Sequence, residues 1–200
     1  MIGYLILAAL AAFIAVVAIR TIRFRPKPQP EVTKEEIAFD RDAAVDSLAQ
    51  LVCCKTVSYN DHSLEDEGEF QKLISLLPTL YPNVFGTCTF QQLPDRALLL
   101  RWPGKQEGGP AVMMAHYDVV PVNEEKWDKP PFAGVIEDGI LWGRGTLDTK
   151  VTFNGVLSAA NYLIGQGFQP EKDIYFAFSG GEEINGQGAP NIVAYFTEHG

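Results

Sequence analysis

The chain has 200 residues, 46% of them hydrophobic and 20% charged, with a formal net charge of −9. That length suits one domain, or one domain with an appendage. No acidic residue precedes Glu31, and from there onward 25 acidic residues face 12 basic ones, a balance of −13. A body this acidic excludes binding to nucleic-acid phosphates and suits carboxylates gathered to hold cations.

Met1 to Ile19 (MIGYLILAALAAFIAVVAI) carries no charged side chain. As a helix it spans ~28 Å, close to the hydrocarbon thickness of a bilayer. A core helix would show a polar face, and a cleaved signal peptide a basic start and a shorter apolar run; neither is present. Residues 1–19 are therefore expected to form a retained, single-pass membrane anchor in contact with the lipid bilayer. Arg20, Arg23, Arg25 and Lys27 follow. By the positive-inside rule they stay cytoplasmic, and the body after them does too. Pro26, Pro28 and Pro30 make 20–34 a basic, stiff and extended linker, with the folded body expected over 35–200.

Within the body, Ala44, Val45, Leu48, Leu51 and Val52 recur at helical spacing, and Thr33 with Glu36 forms a capping box, so Val32–Ser58 reads as a helix. A second helix covers Glu67–Leu77, burying Phe70, Leu73, Ile74 and Leu77. Strands follow at Thr87–Gln92, Ala97–Trp102 and Ala111–Ala115, punctuated by Pro103-Gly104 and Gly108-Gly109-Pro110. Asp138-Gly139 predicts a tight turn between residues 134–136 and 140–142. Lys150–Gln166 reads as a helix, Asp173–Phe178 as a buried strand and Ala189–Glu198 as a helix. Helices alternate with apolar strands that lack a polar face, the pattern of an α/β layered fold. The three cysteines (Cys53, Cys54, Cys88) show no C-x-x-C spacing, which points to free thiols.

Polar residues collect just past three of these strands. In extended backbone His116 and Asp118 share a face, so the imidazole can bind a metal while the carboxylate receives its other N–H. Asp148 stands where a helix begins, in Gly143-Arg144-Gly145-Thr146-Leu147-Asp148. Glu182 and Glu183 follow a strand and two glycines. Each stretch alone has an ordinary reading: a satisfied core histidine, a helix N-cap and a solvated turn. Together, at the carboxyl ends of strands where open α/β sheets bind ligands, they make a mixed nitrogen and oxygen site of the kind Zn²⁺ accepts. Adjacent carboxylates can then divide labour, Glu183 as ligand and Glu182 as general base toward water.

The stretches HYDVVPV (116–122), WDKPPFAGVIEDGILWGRGTLDTK (127–150) and SGGEEINGQGA (179–189) resemble the co-catalytic zinc aminoacylase/carboxypeptidase family. The likeness is strongest to its Gly-X carboxypeptidase and N-acyl-amino-acid amidohydrolase branch. It implies a mixed sheet flanked by helices, and hydrolysis of a peptide or N-acyl amide beside a free carboxylate. It also implies a site with two zinc ions: His116 on one, Asp148 bridging both, Glu183 on the second, Glu182 as general base and acid, and Asp118 steadying His116. A cis peptide after Asp148 is implied as well. The family's remaining ligands and its smaller dimerisation or lid domain lie beyond these motifs, so the chain is expected to be the incomplete N-terminal part of such an enzyme. The competing expectation is a membrane-tethered binding domain that has kept this fold without its chemistry. A Ca²⁺ module is excluded, because no loop has EF-hand spacing.

Overall fold

The computed structural model describes residues 1–26 and 37–199. The Thr33–Glu36 capping box therefore lies outside the described residues. Two compact units are present, Met1–Ala38 and Phe39–Gly200.

The first contains helix α1, Ile2–Arg23, 22 residues with no buried side chain. At ~33 Å it is long and apolar enough to cross a membrane. It runs further than residues 1–19, because Arg20 and Arg23 complete its last turn. Cations there complement the negative end of the helix dipole.

The second unit is a mixed α/β layer. A four-stranded sheet has the order β1-β2-β6-β3, with β1 Thr89–Leu93, β2 Ala97–Trp102, β3 Ala111–His116 and β6 Ile174–Ser179. The β1–β2 and β2–β6 pairs are antiparallel, whereas β3 and β6 are parallel. Side chains alternate across the pleat. Leu98, Leu100, Trp102, Phe176 and Phe178 face the main core, packed with Leu51, Phe70, Leu77, Phe153 and Leu157. These come from helices α2 Arg41–Val52, α3 Glu67–Leu80 and α5 Val151–Gly165. Ala97, Leu99 and Ala177 face the other way, onto Ile192 of helix α6, Gly188–His199. Strands β4 Val135–Glu137 and β5 Ile140–Trp142 form a separate hairpin around Asp138-Gly139.

Three local expectations are corrected. Helix α2 begins only at Arg41, where the Asp40 carboxylate accepts from Ala43 N–H (2.9 Å), and it ends at Val52. Residues 56–58 leave it to run beside 117–119: Val119 N–H donates to Thr56 O (2.9 Å) and Ser58 N–H to Val119 O (3.0 Å). Before β1, Pro82–Thr87 forms a short helix, α4, in place of the first strand residues. Its first N–H groups are met by the distant Asn161 side chain, which accepts from Asn83 N–H (2.9 Å). Finally, β3 is an edge strand, which leaves Val112, Met113 and Met114 45%, 43% and 66% exposed instead of buried. The cysteines are free thiols, with Cys54 and Cys88 buried.

Candidate metal centre

The parallel register sets His116, the last residue of β3, opposite Ser179, the last of β6. Both chains therefore leave the sheet side by side at its carboxyl edge, where α/β folds bind ligands. The first glycine after β6 has a steric reason. A β-carbon at Gly180 would stand 2.6 Å from the ring and hydroxyl of the buried Tyr117. The backbone then turns through a short helical segment, Glu182–Ile184, carrying both carboxylates.

Asp148 arrives from a third direction, on a distorted turn at Thr146–Lys150. The Asp148–Thr149 peptide is cis. The backbone of Asp148 (φ −118°, ψ 96°) is not helical, and α5 starts three residues later, at Val151, without a side-chain cap. Asp148 is therefore not the N-cap of α5. Entry to this turn depends on Gly145, whose φ of 81° is a left-handed conformation and whose added β-carbon would overlap the Val119 side chain. Gly145→Ala is expected to destabilise the fold by about 2 kcal/mol, combining backbone strain with overpacking. A shift in the denaturant midpoint measures this.

The three segments bring their side chains together. One donor atom from each of His116, Asp148 and Glu183 lies within 4.8 Å of the others. His116 Nε2 is 3.1 Å from Asp148 Oδ1 and 3.7 Å from Glu182 Oε2. Its other nitrogen, Nδ1, turns inward, 3.1 Å from the Asp118 carbonyl and 3.4 Å from its carboxylate. Burial of His116 disfavours its charged form, but the hydrogen bonds and charge of Asp118, with Asp148, outweigh that and raise its pKa to about 9. The Glu183 pKa is raised, first by burial and then by the charges of Asp148, Asp118 and Glu182. The His116 shift reflects the carboxylates beside the imidazole, whereas burial leads the Glu183 shift and the charge of His116 opposes it. With one imidazole and carboxylate oxygens as donors, the residues fit a Zn²⁺-type ion.

Asp118 does more than face the histidine. It is fully buried, and its carboxylate accepts from Glu182 N–H (3.1 Å), Glu183 N–H (3.1 Å) and the Ser58 hydroxyl (2.8 Å). One side chain thus sets the imidazole and the backbone of both glutamates. Ser58 carried no signal in the sequence. It sits 60 residues before its partner, in a stretch read as helix. Glu182 and Asp148 remain open, with side chains 59% and 79% exposed.

Residues 112–200 match the model of peptidase family M20/M25/M40. Over 198 residues the chain is 34% identical to the probable carboxypeptidase S-like 2 of Dictyostelium discoideum, an overlap of 94% of this chain and 38% of that protein. Over 175 residues it is 41% identical to the N-fatty-acyl-amino acid synthase/hydrolase PM20D1 of Homo sapiens, covering 85% of this chain and 34% of that protein. The chain therefore spans less than two fifths of the length of these relatives. The crystal structure of human carnosine dipeptidase 1 superposes with a TM-score of 0.57 over 72% of this chain and 33% of that one. At 20% identity this is a likeness of fold.

Proposed function

The chain belongs to peptidase family M20/M25/M40 through residues 112–200, and we propose that it is a zinc-dependent hydrolase of peptide or N-acyl amino acid amide bonds. The observation that carries this reading is the convergence of His116, Asp148 and Glu183 donor atoms within 4.8 Å, beside the exposed Glu182 carboxylate. The relatives named for carboxypeptidase and N-fatty-acyl-amino acid hydrolase activity support the substrate class.

His116 Nε2, Asp148 and Glu183 would hold zinc. Bound zinc would supply Lewis acidity, polarising the scissile carbonyl and making water easier to deprotonate. The chain's own residues divide the remaining work. Glu182 accepts a proton from the attacking water at a carboxylate oxygen and returns it to the leaving nitrogen. Asp118 holds the imidazole with Nε2 outward and orients the two glutamates. Chelation of the intact protein is expected to abolish hydrolysis of N-acyl amino acids, and added zinc to restore it. Activity that persists through complete metal removal would refute the reading.

Residues 1–19 are proposed as a membrane anchor, 20–34 as a linker and 35–200 as part of the hydrolase body, placed on the cytoplasmic side by the basic flank. The apolar α1 supports the anchor. Carbonate extraction is expected to leave the intact protein in the membrane pellet. Release into the supernatant would exclude a retained span.

A further inference from the structure

Lys150 lies two residues beyond Asp148 and is fully buried. Its ammonium donates to Leu51 O (2.9 Å) and Cys54 O (2.7 Å), where α2 ends. Helix ends leave carbonyls short of donors and favour a cation, so a purely structural role as a helix-end cation is the simple reading. Two details argue for more. Neither carbonyl depends on Lys150, because Leu51 O also accepts from Cys54 N–H (3.1 Å) and Cys54 O from Thr56 N–H (2.9 Å). And the segment that Lys150 grips is the one bonded to the histidine side of the site. The Thr56 hydroxyl donates to Tyr117 O (2.6 Å), and the Ser58 hydroxyl donates to Asp118 (2.8 Å). At its other end, Lys150 N–H donates to Gly145 O (2.9 Å), closing the turn that presents Asp148.

We infer that Lys150 is a positioning residue, a strut that fixes the distance between the Asp148 turn and the His116–Asp118 strand exit through residues 51–58. This rests on the proposed metal centre at His116, Asp148 and Glu183. Removing the ammonium would leave both carbonyls bonded but free the Asp148 turn to shift, so the loss falls on metal affinity more than on folding. Partners of this outer kind change metal affinity by roughly 10–100-fold.

The test titrates Co²⁺ into the intact chain, unsubstituted and with Lys150→Met or Lys150→Arg. It follows d–d absorption, with near-UV circular dichroism of the metal-free forms as the folding control. Lys150→Met is expected to keep its near-UV spectrum and bind Co²⁺ roughly 10–100-fold more weakly, with Lys150→Arg recovering part of the loss. If Lys150→Met binds Co²⁺ as tightly as the unsubstituted chain, the strut is overturned and Lys150 is a helix-end cation only. Should Lys150→Met lose its native near-UV spectrum, Lys150→Gln, which keeps a donor for one carbonyl, takes its place with the same two outcomes. Failure of the unsubstituted chain to bind Co²⁺ would overturn the metal centre itself, and the strut with it.

Discussion

Glu182→Gln in the intact protein is expected to lower turnover of an N-acyl amino acid by at least about a hundredfold while zinc content stays unchanged. The amide keeps the size of the carboxyl and much of its hydrogen bonding, and removes only the ability to take a proton. Glu182 is suited to that task by its position. Its side chain is 59% exposed, so it reaches solvent and substrate, and its Oε2 lies 3.7 Å from His116 Nε2. Glu183, more enclosed and within 4.8 Å of both His116 and Asp148, is expected to fail differently. Its replacement by Gln should loosen the metal, because a ligand is lost. Zinc content measured beside hydrolysis rate separates the two. If Glu182→Gln lost its metal while Glu183→Gln retained it, the assigned roles would be exchanged. If neither substitution changed rate or metal content, the pair would be a solvated turn.

The second large effect is expected at Asp118. Asp118→Ala strips the acceptor from two backbone N–H groups and from the Ser58 hydroxyl, all at a fully buried position. A buried donor left without a partner costs about 1–3 kcal/mol, and part of that is recovered where water enters the space vacated. A net loss of about 3 kcal/mol is expected, which for a unit of this size lowers the melting temperature by roughly 10 °C. Metal affinity should fall as well, since the imidazole loses the carboxylate beside its Nδ1 and the glutamates lose their shared anchor. Asp118→Asn should be milder in stability, because its carbonyl oxygen still accepts. A thermal melt of Asp118→Ala within 2 °C of the unsubstituted protein would show that the three donors find other partners. Asp118 would then face the ligands without anchoring the structure around them.

Much of this fold is written locally. Apolar residues at helical spacing mark α3, where Phe70, Leu73, Ile74 and Leu77 are buried as their periodicity predicts. The strand Ala97–Trp102 begins and ends where its sequence says, because Pro103-Gly104 stops it. The turn at Asp138-Gly139 is found in place, since two residues with positive φ suit its backbone. Residue chemistry marks the candidate ligands less sharply: a histidine and carboxylates stand just past strand ends, and it is their recurrence in three such places that singles them out.

Other features belong to pairings between distant segments. Periodicity cannot show that β3 lies at the sheet edge, since an apolar run looks alike at the centre and at the margin. Nor does local propensity end α2 at Val52. Thr56 and Ser58 are drawn off the helix path to bond Tyr117 and Asp118, 61 and 60 residues away. The Asn161 side chain that meets the start of α4 is another such distant partner. The sequence by itself determined most of the helices and strands, though not α4, and the residue types that stand at their ends, because these follow from spacing over a few neighbours. Only the tertiary structure decided that β3 runs parallel to β6, so that His116 meets the Glu182–Glu183 turn. Only it decided that the buried Tyr117 lies against position 180, leaving room there for nothing larger than glycine. Those outcomes depend on close packing between residues far apart in the chain, and no short window of sequence contains both partners.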